Sequence, residues 1–234
     1  MLEAALRLVT QTGAQSMSFQ DLADAVRIRK ASVHYHFRTK SDLLFELVNG
    51  YVVTLKRESN HILDEPWSGD NKLRMLLDGF TQSVDARHGR RVSLSAMLSA
   101  EVVNLEPKVA DRLASFFQNQ AGALTTILAE GRQDGSLRFG GPAEPLAWMI
   151  LSLVEGAMLV ARVTGGGELF VEMQRALERL LVVPFSERTP TGSRPVATTG
   201  PVEDVAPVAP TAAGAEMQKS VVGLPTSRQA HSSL

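Results

Sequence analysis

Between Arg27 and Lys40 the chain carries five cations, Arg27, Arg29, Lys30, Arg38 and Lys40, with Ser32, His34, Tyr35, His36 and Thr39 among them and no acid. Acids resume on both sides, at Asp21 and Asp24 before the run and at Asp42 and Glu46 after it. Cations spaced along a short segment can release the counterions condensed on a phosphate backbone, and hydroxyls between them can fix the register of that contact. The same composition also suits an ordinary solvated face, so the run needs a second signal. Little other chemistry is spelled out. The 234 residues contain no cysteine, which excludes disulfides, a thiol nucleophile, a thiolate zinc site and cysteine-based redox sensing. A glycine-rich phosphate loop, a nucleophile elbow and a His-Glu-x-x-His metal pattern are all missing. His61 and His88 stand alone on polar stretches and are expected at the surface. No metal and no cofactor are expected.

The second signal is the set of elements that must carry the run. At 44% hydrophobic residues there is enough apolar material for a core, and the net charge of −1 means that nucleic-acid affinity must come from charge segregated within the chain. Apolar positions recur at helical spacing, and no run of strict alternation appears, so an all-α chain is predicted. Leu2, Ala5, Leu6 and Val9 make one short face that stops at Gly13. Ser18 with Asp21 reads as a capping box, and Phe19, Leu22, Ala23 and Val26 follow on one face. A short helix over residues 30–37 comes next, and Ser41 is read as the cap of a longer one bearing Leu44, Leu47, Val48, Tyr51, Val52 and Leu55. Three short helices, the second and third joined by a tight turn, form the pattern of a helix-turn-helix.

Further helices are predicted over residues 71–86, 91–103, 107–132, 142–163 and 168–183, with Pro107 and Pro142 near helix starts and Gly89, Gly135 and Gly165 near ends. From residue 186 the composition turns to Pro, Thr, Ala, Gly and Ser, and a disordered tail over 186–234 is expected. The domains expected are 1–48, carrying the basic run, and 49–185. The apolar stretch 145–161 contains Glu155 and is read as a buried helix too short for a bilayer. With no signal-peptide pattern from Met1, a cytoplasmic location is expected.

The segment FQDLADAVRIRKASVHYHFRTKSDLL, residues 19–44, resembles the DNA-binding segment of the tetracycline-repressor (TetR) family, and the likeness extends over about fifty residues without gaps. More weakly, GRQDGSLR at 131–138 and LVEGAML at 153–159 resemble the ligand and dimerisation region of many members. The resemblance implies an all-α homodimer whose recognition helices enter adjacent major grooves of double-stranded DNA, and a C-terminal domain that binds a small molecule and releases the operator. By position, Lys30, Ala31 and Tyr35 match residues that approach base edges, and Ser32, His34 and Lys40 match those that hold phosphates. Val33 and Phe37 are assigned to the core, and His36 to the core or a helix cap ahead of direct DNA contact. Two departures stand out. Members usually have glycine where this chain has Arg27 and a small capping hydroxyl where it has Arg29; each change costs about 1 kcal/mol if the backbone there needs them, and each adds a cation beside the groove.

An effector pocket is expected among Met75, Phe80, Met97, Phe116, Phe117, Trp148 and Met149, with Glu101, Gln120 or Glu155 as the polar group that orients an apolar or amphipathic ligand. Glu155 needs a partner or a raised pKa; Arg162 and a histidine are candidate partners, and an effector or a residue across the dimer are others. The dimer interface is expected at Ser152, Gly156, Leu159, Phe170, Met173, Leu177 and Leu180, whose three-and-four spacing suits helix packing, although the same spacing fits burial inside one subunit. A repressor is the reading carried forward; the alternatives are a helical interaction adaptor without DNA binding and an all-α enzyme.

Overall fold

Ser18 and Asp21 satisfy each other's backbone donors and start a helix at Phe19, as their spacing predicts. The computed structural model describes residues 1–83, 93–164, 167–184 and 187–188. Among them lie nine α-helices: α1 (Leu2–Thr12), α2 (Phe19–Ala25), α3 (Lys30–His36), α4 (Lys40–Asp64), α5 (Gly69–Ser83), α6 (Leu94–Ala100), α7 (Pro107–Gln133), α8 (Ala143–Thr164) and α9 (Gly167–Leu181). The all-α prediction holds. The expected ends of α5 at Ala86 and start of α6 at Arg91, the glycines at 89 and 165, and the tail beyond 188 lie outside the described residues.

The cap of α4 is Thr39 rather than Ser41: its hydroxyl accepts from Asp42 N at 3.0 Å while the Asp42 carboxylate accepts from Thr39 N at 3.1 Å. A capping box needs its acid three residues on, and Asp42 stands three from Thr39 but one from Ser41. The hydrogen bonds with Lys108 and then Thr39 hold the Asp42 carboxyl below the usual aspartate range.

Two apolar clusters share the long helices. One gathers Leu22, Val33, Leu47 and Val48 with Leu94, Leu98 and Phe116, so the core under α1–α4 continues into α6 and α7 without a break at residue 48. The other joins α5, α7, α8 and α9 through Leu77, Ile127, Val154 and Phe170. Phe117 packs against both. At 22 residues α8 is as long as the predicted helix over 142–163, and by length and composition alone it could cross a bilayer. Its inner face nevertheless packs in the second cluster through Ala147, Ile150, Leu151, Val154 and Met158, which is the arrangement of a core helix.

Two contacts tie the last described residues to the body. Val183 N donates to Ser136 O at 2.9 Å, and the Arg188 guanidinium pairs with the buried Asp70 carboxylate at 2.6 Å. Hydrogen bonds from Ser68 and Arg188 keep that carboxyl below the usual aspartate range although burial pushes the other way.

Candidate nucleic-acid interface

The turn between α2 and α3 is a Schellman motif. Ile28 N donates to Ala23 O at 3.0 Å and Arg27 N to Asp24 O at 3.2 Å, so the last carbonyls of α2 are satisfied by the residues that leave it. Such a motif needs a left-handed residue just past the cap, and that residue is Arg27, with φ 56°. The conformation is one that glycine adopts freely and that a side chain makes unfavourable by about 1–2 kcal/mol. Arg29, the N-cap of α3, makes no capping hydrogen bond through its side chain. Both departures from the expected turn chemistry therefore carry a local energetic penalty.

What the strained turn presents is a short helix with one anchored residue. Val33 is fully buried, and Phe37, just past the helix end, is half-buried against the same core. Arg27, Arg29, Lys30, Ala31, Ser32, His34, His36 and Arg38 are exposed, and Tyr35 stands 78% exposed. The aromatic tip is not left unsupported: the Tyr35 ring meets His36 edge-on at 5.5 Å, and His34 packs edge-on against Phe19 at 4.8 Å. His36, expected in the core or at a cap, is instead an exposed brace for Tyr35. A seven-residue helix anchored by one apolar residue leaves its other side chains open to solvent.

Lys40 has a different placement from the phosphate contact expected of it. It is half-buried, and its ammonium donates to Gln15 O at 2.9 Å. Burial holds its pKa below the usual lysine value, with the Glu101 and Asp21 carboxylates pulling in the opposite direction. Glu101, expected in the pocket, accepts from Gln15 N at 2.9 Å. Arg162, expected beside Glu155, donates to Gln11 O at 2.8 Å and meets the sulfur of Met97. No neighbouring residue in the sequence signals these contacts.

The remaining candidates separate. Met75, Phe80 and Gln120 line a cavity of about 30 Å³ between α4, α5 and α7, together with Leu55, Glu58 and Ser59, whose hydroxyl donates to the Gln120 side-chain oxygen at 3.2 Å. Phe116 is buried against Tyr51 and Phe117, and Met97 lies buried beside Arg162. Trp148 and Met149 face outward from α8: Met149, at 68% exposure, lies opposite Ala147 and Leu151, and Trp148 lies at the flank of that buried side. Among the described residues Glu155 takes neither Arg162 nor a histidine: Ser93 and Ser95, at the start of α6, donate to its carboxylate at 3.2 and 2.9 Å. Burial raises its pKa to about 7, against the pull of those two hydroxyls.

The expected interface seam also divides. Phe170, Met173 and Leu177 are buried within the subunit, where they close α9 onto the second cluster. Ser152, Leu159 and Leu180 are exposed, and beside Gly156 a methyl group would meet open space. Sequence reasoning missed Leu153, Val160 and Val163, exposed apolar residues of α8; Met149, Leu153, Val160 and Val163 continue at three-and-four multiples along one face.

Comparisons with known proteins agree with this architecture. Residues 1–47 match the family of bacterial regulatory proteins, tetR family, and residues 69–177 match the tetracyclin repressor-like C-terminal domain. The transcriptional repressor KstR2 of Mycolicibacterium smegmatis is 25% identical over 138 residues, covering 59% of this chain and 66% of its own. The nucleoid occlusion factor SlmA of Vibrio cholerae is 26% identical over 152 residues, covering 64% of this chain and 76% of its own. The crystal structure of a TetR family regulator from Agrobacterium tumefaciens superposes with a TM-score of 0.71 at 29% identity, covering 76% of this chain and 94% of that one. With matched N-terminal and C-terminal regions, a helix-turn-helix and an all-α body, the chain belongs to the TetR family of DNA-binding transcriptional regulators, which are not enzymes.

Proposed function

We propose that the protein is a cytoplasmic, homodimeric repressor that a small apolar or amphipathic molecule releases from its operator. The observation that carries the reading is the outward face of α3, where one residue is buried and Tyr35 projects at 78% exposure. Residues 1–48 act as the DNA-reading unit and 49–185 as the effector and dimer unit. Lys30, Ala31 and Tyr35 meet base edges, Lys30 as a donor to guanine acceptors and Ala31 against a thymine methyl, while Arg27, Arg29, Ser32 and His34 hold phosphates.

Dimerisation is supported by the uncovered apolar side of α8, which includes Met149, Leu153, Val160 and Val163. Two half-sites one DNA turn apart require two reading heads about 34 Å apart, and a modest change in that spacing is enough to release DNA. Effector binding is supported by the cavity lined by Met75, Phe80 and Gln120, which at about 30 Å³ has room for about one water and must open to admit a ligand. The double variant Met149→Asp with Val160→Asp tests the assembly. Both side chains are exposed in the protomer, so the fold persists; sedimentation velocity is expected to show a monomer, and affinity for the operator falls about a hundredfold or more. A variant that sediments as a dimer overturns the reading.

Arg27 gives a second test. Arg27→Gly relieves the left-handed backbone and is expected to stabilise the chain by about 1 kcal/mol in urea unfolding. If Arg27 holds a phosphate, the same variant lowers the slope of log K against log salt by about 0.9 per contact. A variant more stable but with an unchanged salt slope removes Arg27 from the DNA contact.

A further inference from the structure

Three side chains that sequence reasoning sent to three different tasks converge on one turn. The end of α1 and the link that follows it are held by their backbone: Arg162 of α8 donates to Gln11 O in the last turn of α1, while in the link Glu101 at the end of α6 accepts from Gln15 N and Lys40 at the start of α4 donates to Gln15 O. These contacts span 151, 86 and 25 residues of sequence, so the first two tie the DNA-reading unit to the far end of the body. The chain makes room for the grip at Gly13, whose φ is +91° and where a Cβ would run into the Glu101 carboxylate. Lys108 reinforces the junction from α7 through its ion pair with Asp42 at 2.6 Å.

We propose that Glu101 and Arg162 are positioning residues for DNA binding, gripping the α1–α2 turn so that each recognition helix is held at a fixed angle to the dimerising body. Neither residue touches DNA. A charge-assisted hydrogen bond to a backbone group is short, directional and stronger than a neutral one, so two of them from different helices restrict rotation of the turn. Arg162 sits on α8, whose outer face carries the proposed dimer contact, and so connects the angle of the reading head to the body that sets the distance between heads. The inference rests on the two-half-site reading given above.

The test uses the full-length chain and duplexes that the wild type selects from a random library, with the two half-sites then re-spaced in single base-pair steps. Each added base pair moves a half-site by roughly 3.4 Å and rotates it by roughly 35°, a change that fixed heads cannot follow and hinged heads can. The wild type is expected to bind one spacing best. In Glu101→Ala and in Arg162→Met the ratio of best to re-spaced affinity falls about tenfold, while the salt slope at the best spacing is unchanged because no phosphate contact is lost. Glu101→Gln retains an acceptor for Gln15 N and restores most of the preference. Circular dichroism establishes that each variant is folded, and Arg162→Met carries the test should Glu101→Ala unfold. A preference as sharp in both variants as in the wild type overturns the grip and leaves the dimer reading intact. A wild type that binds every spacing equally overturns the two-half-site reading, and the grip with it.

Discussion

Tyr35→Ala is expected to abolish most sequence-specific binding while leaving the fold intact. A base-edge contact contributes about 1–3 kcal/mol of discrimination, and a dimer makes it twice, so the selected operator should be bound roughly 30-fold to 10⁴-fold more weakly. The side chain is 78% exposed, so its removal leaves the core untouched and thermal unfolding should barely move. Lys30→Ala separates two roles. As a base reader, Lys30 should lose discrimination at its own position; as a phosphate contact, it should weaken all sequences alike and reduce the salt slope by about 0.9 for each of the two protomers. Mobility shifts at several salt concentrations distinguish the two. Operator binding equal to wild type in Tyr35→Ala would remove α3 from base recognition. His36→Ala is a useful companion because it takes away the edge-on brace without touching Tyr35 itself.

The parts of this molecule legible in the sequence are those decided by neighbours a few residues apart. The box at Ser18 and Asp21, the buried Val33 between exposed cations, and the long helix after Pro107 all follow from local spacing. Thr39 and Asp42 offered the same spacing as Ser18 and Asp21, so the cap of α4 was readable from the same rule. The left-handed turn at Arg27 could be anticipated only because glycine was expected there.

Long-range partners were not legible. Glu101, Arg162 and Lys40 bond to main-chain atoms, which have no side-chain signature to complement. Periodicity in α9 showed correctly that Phe170, Met173 and Leu177 share a face, but an apolar face packs equally well inside a subunit or between two. In α8 the apolar residues surround the helix, so spacing could not distinguish Ala147 and Val154 inside from Met149 and Val160 outside. What identifies the inner face after the fact is Glu155, a carboxylate held by hydroxyls of the first turn and the cap of another helix.

Glu155 leads to the second large effect, a pH dependence of stability opposite in sign to that of the other shifted carboxylates. Its pKa is raised by burial to about 7 in the folded chain, against 4.5 for a freely exposed glutamate. Between those two pH values the native state holds a proton that the unfolded state has released, so stability falls as pH rises through that window and the loss is complete above it. The size is about 3 kcal/mol over the whole window, of which roughly 2 to 3 kcal/mol falls between pH 5 and pH 8. Asp21, Asp42 and Asp70 are shifted down instead, so their contributions disappear only as pH falls below the ordinary aspartate range. Tyr51, in the first cluster, has its phenol pushed up first by burial and then by the Glu155 carboxylate, which keeps it neutral throughout. Glu155→Gln preserves the side-chain shape and an acceptor for Ser93 and Ser95 but has nothing to ionise. Urea unfolding at pH 5 and pH 8 should therefore find the variant and wild type close at pH 5, and the variant more stable by about 2 kcal/mol at pH 8. Subtracting one curve from the other removes histidines and surface groups, which both proteins share. Parallel curves across that range would mean that Glu155 ionises in the folded protein as freely as in the unfolded one, and that its two serine bonds fully offset its burial.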